Sequence, residues 1–80
     1  MTTSEQVRAA RALLRWEQKH LAEASGVSLP SIKRLESQPG SLAAQARTID
    51  ALKSALENAG VIFQADGETT TGGPGVRLRR

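Results

Sequence analysis

The chain predicts a mostly α fold of four to five short helices, closed by a C-terminal β-hairpin or strand pair. Three observations predict it. Before position 60 the only glycines are Gly26 and Gly40, in a background rich in Ala, Leu, Gln, Glu and Arg; the other five lie at or after Gly60. Apolar residues in the first part recur three and four apart, the helical spacing. Val61-Ile62-Phe63 is β-branched and aromatic, and Val76-Arg77-Leu78-Arg79 alternates apolar and basic, so both read as strands. The chain divides into a helical unit, 1–60, and a β-like tail, 61–80.

Helix one is expected to start at Ser4, whose side chain caps it, with Glu5 beside the positive helix end. Val7, Ala10 and Leu14 form its apolar stripe, Leu13 lies beside it, and the helix ends near Arg15. Helix two runs from about Glu17 to Ser25, with Leu21 and Ala24 inward and Gly26 as its stop. Val27 is expected buried in the turn. Ser28 caps helix three, Leu29 to Glu36, where Pro30 sits in the first turn and costs no hydrogen bond. Ile32 and Leu35 share its inward side. Gln38-Pro39-Gly40 breaks the chain, and Leu42 to Ala46 is a candidate helical turn. Thr48 is the expected cap of a last helix carrying Ile49, Leu52, Leu56 and Ala59 on one face. Asp66-Gly67 and Gly72-Gly73-Pro74-Gly75 are turn chemistry, and Thr69-Thr70-Thr71 is a loop.

Composition narrows the function. Eighty residues make one domain, which buries roughly 60% of its unfolded surface. With no Cys and one His, a disulfide staple, a conventional zinc site and a His-based hydrolase site are not expected. A formal charge of +3 leans mildly towards polyanions. Trp16 and Phe63 are the only aromatics, too few for a base-stacking surface. Trp16 reads as a core anchor and His20 as a surface residue. No apolar run is long enough for a membrane span, and the first residues do not resemble a secretory signal. A cytoplasmic protein without membrane contact is the expectation.

Gln18 to Ser37 is the informative stretch. Ala22 is small where two helices cross, Gly26 follows four residues later at a sharp turn, and Val27, Ile32 and Leu35 wedge the pair together. This describes a helix-turn-helix over residues 18–37. The residues Arg8-Ala9-Ala10-Arg11-Ala12-Leu13-Leu14, Trp16, Gln18, Leu21-Ala22-Glu23-Ala24-Ser25-Gly26-Val27-Ser28 and Ile32-Lys33-Arg34-Leu35-Glu36 carry a specific resemblance. Together they resemble the lambda-repressor/Cro-like (XRE-type) helix-turn-helix regulators of bacteria and phages. Ala55-Leu56-Glu57-Asn58-Ala59-Gly60-Val61-Ile62-Phe63 and Gly73-Pro74-Gly75-Val76-Arg77-Leu78-Arg79 resemble the ending of a small single-domain subtype, so the likeness spans nearly the whole chain. The sequence departs from the family at Arg15, often Gly, at Glu17, often Ser or Thr, and at Leu29-Pro30, where polar side chains often stand over base edges.

The resemblance implies a lambda-repressor-like DNA-binding domain whose helix 28–36 enters the major groove. Ser28, Leu29, Pro30, Lys33, Arg34 and Ser37 lie away from the Ile32/Leu35 side and are the candidate base contacts. Lys33 suits guanine O6/N7, Arg34 a base or a phosphate, and Leu29 and Pro30 a thymine methyl. Gln18 resembles the family's phosphate-binding Gln, and Arg15, Lys19, Gln38 and Arg47 are further phosphate candidates. The bland alternative for Lys33 and Arg34 is a solvated helix face. Arg8 and Arg11 are candidates to pair with Glu5 or Glu23. Arg77, Arg79 and Arg80 read equally as a DNA-contacting arm or a solvated basic terminus.

One such motif covers a few base pairs, so a homodimer on an inverted-repeat double-stranded operator is expected. Val61, Ile62, Phe63, Val76 and Leu78 are the candidate dimer residues, with a hairpin presenting an edge to a second chain; Leu52 and Leu56 are further candidates. No catalytic residue, metal, cofactor, small-molecule ligand or separate sensing domain is expected. A dimeric repressor or controller-type autoregulator is the expected function. The competing class is a protein-interaction module, such as an antitoxin-like or anti-activator partner.

Overall fold

The computed structural model describes residues 2–64 and 75–79. Four helices come first: α1 (Ser4–Leu14), α2 (Gln18–Ser25), α3 (Leu29–Glu36) and α4 (Ala46–Asn58). Two strands follow, β1 (Val61–Gln64) and β2 (Gly75–Leu78), paired antiparallel with Val61 opposite Leu78 and Phe63 opposite Val76. The mostly α architecture with a short terminal strand pair is the one expected. The expected turn at Asp66-Gly67, the Gly72-Gly73-Pro74 run, the threonine run and Arg80 lie outside the described residues.

The cap of α1 is Thr3, one residue before the expected Ser4. Thr3 Oγ1 accepts from the Gln6 backbone N–H at 3.1 Å, and Gln6 Oε1 accepts from the Thr3 N–H at 2.9 Å. Two orphan donors are satisfied reciprocally, which a cap at Ser4 would not achieve. Ser4 is instead buried, donating its N–H to the Gly40 carbonyl at 2.8 Å. Gln6 is buried too, and its Nε2 donates to the carbonyls of Gln64 and Gly75, both at 3.0 Å. One amide thus fastens the first turn of α1 to both strands.

The core gathers Val7, Ala10, Leu21, Ile32, Leu35, Leu42, Leu52, Ala55, Leu56 and Val61. Leu14, Trp16, Val27, Ile49, Phe63 and Val76 pack around it, so Trp16 is the anchor expected and Val27 is half-buried. Two expected inward positions, Ala24 and Ala59, are not core, and Leu13, beside the stripe of α1, is open. Ala24 is exposed, because the covered side of α2 runs through Leu21, Ala22 and Ser25. Leu13 is 41% exposed. Ala59 is exposed as the residue following α4, and Ala55 takes the inward place. Leu52, Leu56 and Val61 are buried within the protomer's own core, which removes their side chains from any dimer surface.

The start of α4 also differs. Residues 41–45 form no helical turn. Ser41 bridges to Thr3, and Leu42 donates its N–H to the Thr2 carbonyl at 3.1 Å. These bonds to the N-terminal segment hold the chain extended, and they carry Leu42 into the core. The cap is Gln45, without a side-chain bond, and Thr48 lies inside the helix. Among the described residues no helix is long and apolar enough to cross a membrane.

Candidate nucleic-acid interface

The turn between α2 and α3 is built as its residues require. Gly26 closes α2 at φ 76°, donating to the Ala22 carbonyl at 2.9 Å. That left-handed conformation strains any residue with a Cβ, even though open space surrounds the position. Ser25 Oγ donates to the Leu21 carbonyl at 2.7 Å and accepts from the Val27 N–H at 3.2 Å. Ser28 Oγ caps α3, accepting from the Ser31 N–H at 3.3 Å, and donates to Ser31 Oγ at 2.8 Å. Pro30 occupies the first turn, where its missing N–H removes no bond.

The two sides of α3 differ in kind. Inward lie Ile32, Leu35 and the Glu36 carboxylate, which is only 4% exposed. Arg11 of α1 grips Glu36 with both arms, Nε to Oε2 at 2.7 Å and a terminal nitrogen to Oε1 at 2.6 Å. The same guanidinium holds the Trp16 carbonyl at 3.1 Å. Gln18 Nε2 donates to Glu36 Oε1 at 3.0 Å, and Arg8 reaches the Glu36 backbone carbonyl at 3.2 Å. A charge this buried is tolerated only when it is paired and hydrogen-bonded, and here it is both. The network fixes the end of α3 against α1, the α1–α2 turn and the start of α2. Arg8 also lies 3.8 Å from Glu5, as expected. Arg11 turns to Glu36 rather than to Glu5 or Glu23, because only the tertiary fold brings Glu36 within reach.

Outward, Ser28, Pro30, Lys33, Arg34 and Ser37 are exposed and Leu29 is half-buried. Among the described residues neither Lys33 nor Arg34 makes an ion pair. Ser28 is occupied by its capping bonds, and Ser37 Oγ donates to the Arg34 carbonyl at 2.7 Å. A cleft lined by Glu17, Gln18, Lys19, Leu29 and Lys33 joins the start of α2 to α3. A second depression, bounded by Ser31, Arg34, Gln45 and Thr48, joins α3 to the start of α4. Arg15, Gln38 and Arg47 are exposed but line neither. Lys19 lies 3.8 Å from Glu17 in an open, solvated pair of little energetic weight.

Two of the residues also carry structural duties. Gln18 spends one amide hydrogen on Glu36, so it is an internal tie as well as a surface group. Arg15 ends α1 in the left-handed region, φ 58° and ψ 38°, the conformation that favours Gly. His20 is exposed, with Nδ1 accepting from the Glu17 N–H at 2.9 Å. Glu36 is the organising residue for which the sequence offered no role. Compared with protein-family models and with curated proteins, the chain matches none.

Proposed function

We propose that the chain is a sequence-specific double-stranded DNA-binding transcriptional regulator that works as a homodimer. One observation carries this reading. Among the described residues, the exposed side of α3 offers Lys33 and Arg34 without acidic partners, while its opposite side is locked by the Arg11–Glu36–Gln18 network. A helix held rigidly from behind and cationic in front suits entry into a major groove. In this reading Lys33 binds guanine O6/N7, and Arg34 binds a base or phosphate. Leu29 and Pro30 lie against a thymine methyl, with Ser28 and Ser37 at the rim. Gln18, Lys19, Arg15, Gln38 and Arg47 hold phosphates on either side. Occupancy alone blocks polymerase, so repression, including control of its own promoter, is the simplest output.

The test is binding to the DNA upstream of its own coding sequence, measured across a salt series against a random duplex. The expected result is tighter binding to the upstream fragment, with affinity falling steeply on a log–log salt plot. Absence of binding to either duplex at low salt overturns the reading. A protected region with two-fold symmetry fixes the operator and its half-site spacing, expected near one helical turn.

A further inference from the structure

Among the described residues β2 pairs with β1 on one side and with no strand on the other. Arg79 donates its backbone N–H to the Gly60 carbonyl at 2.6 Å. That bond sets the parity of the ladder: Ile62 and Arg77 form a bonded pair, whereas Val61–Leu78 and Phe63–Val76 do not. In the second kind of pair the backbone N–H and C=O groups point away from the neighbouring strand. Val76 and Leu78 therefore each aim one donor and one acceptor at the outer edge of β2. No described residue bonds to them there.

A groove of about 710 Å³ lies against β2, and Ile62 of β1 also lines it. Val76, Arg77, Leu78 and Arg79 all line it, although successive side chains of a strand point to opposite faces. The groove thus touches both faces of β2, and on the Arg77 face it extends to Ile62 of β1. Leu13 of α1 borders it. Leu13 and Leu78, each 41% exposed, are the large apolar side chains that stand open among the described residues.

We propose that this groove receives β2 of a second copy, antiparallel, about a two-fold axis at Arg77. The result is a continuous four-stranded sheet. In this register Val76 faces the partner's Leu78, and Leu78 faces the partner's Val76. Every outward N–H then meets an outward carbonyl. Val76 and Leu78 of both copies also share one face, continuous with Val61 and Phe63. A slip of one residue would turn that face over and mismatch the bonds. The edge is complementary to itself, which is why a second copy is its occupant. The register has one adverse contact: Arg77 faces the partner's Arg77, and like charges directly opposite repel. Added salt should therefore strengthen the dimer while weakening DNA binding. The inference deepens the dimer of the preceding reading, but its test involves no DNA, so either can fail alone.

Truncating the tail is a poor test, because Val61 belongs to the core. A single cysteine is better, since the chain has none. Opposed residues in a non-bonded antiparallel pair have Cα atoms about 4.5 Å apart, within disulfide reach. Arg77→Cys is expected to form a disulfide-linked dimer, with glutathione disulfide as the oxidant reduced to glutathione, at least tenfold faster than Ser54→Cys, an exposed control on α4. Leu13→Asp, with helical content unchanged by circular dichroism, is expected to weaken self-association at least tenfold in sedimentation equilibrium. Cross-linking at Arg77→Cys no faster than the control overturns the register. Unchanged association of Leu13→Asp, or a wild-type chain that stays monomeric at high concentration, overturns the interface.

Discussion

The two sides of α3 make an instructive pair. On the inner side every charge is answered: Glu36 meets Arg11 twice and Gln18 once, with Arg8 on its carbonyl. On the outer side Lys33 and Arg34 face solvent without an acidic partner among the described residues. Within one eight-residue helix, charge serves two ends. Buried and paired, it orients the helix; exposed and unpaired, it remains available to a ligand. Mutations on the two sides should therefore separate stability from binding.

The largest effect is expected from breaking the inner side. Arg11→Ala leaves the Glu36 carboxylate buried without its cation, which costs about 3–5 kcal/mol and should unfold much of the population in a urea titration. Arg11→Met combined with Glu36→Leu should restore most of that stability, since a well-packed apolar pair often matches a buried ion pair. If Arg11→Ala melts like the wild type, the network does not anchor α3.

Lys33→Ala should behave in the opposite way. Its expected cost is about 1–3 kcal/mol of affinity for the operator, with relaxed choice at one base pair. Its urea midpoint should hardly move, as surface substitutions of this kind usually change stability by less than about 0.5 kcal/mol. Equal losses on operator and random DNA would place Lys33 on a phosphate instead. Gln18→Ala should lie between the two sides, lowering stability through Glu36 and weakening all DNA sequences alike.

Arg15 carries a smaller effect with two signs. Its left-handed backbone costs about 1–2 kcal/mol relative to Gly, partly offset by the greater freedom of unfolded Gly. Arg15→Gly should gain up to about 1 kcal/mol in the urea titration while weakening DNA binding at low salt. A loss of stability would show that the arginine side chain supports the turn.

The smallest effect lies at Glu5, away from α3. Its own backbone N–H, the Gly40 N–H and nearby Arg8 together hold its carboxyl below the usual carboxylate range. The contribution of Glu5 to stability is therefore present above the ordinary Glu pKa and lost as pH falls through the lowered folded value. Glu5→Gln should remove a little of the acid-side slope of thermal stability and leave neutral-pH DNA binding unchanged.

Local signals were legible wherever the partner was near in sequence. Gly26 after Ala22, Ser28 before Leu29, Pro30 in the first turn and Val61-Ile62-Phe63 each state their backbone role within a few residues. The errors fall where distant chain intervenes. Thr48 has the chemistry of a cap, but Thr2 and Thr3 hold residues 41–42 extended and the helix starts earlier, at Ala46. Thr3 displaces Ser4 because Gln6 can reach back to it.

The sequence alone determined the helix-turn-helix and its outward cations, because helical periodicity, capping and the left-handed turn are properties of neighbouring residues. Tertiary structure decided what those helices do to one another. It turned Arg11 and Gln18 towards Glu36, and it bonded Gln6 across to both strands. It also buried Val61 while leaving Leu13 and Leu78 open beside the β2 edge. Such pairings join residues 18 to 69 positions apart, and no local spacing rule reaches that far.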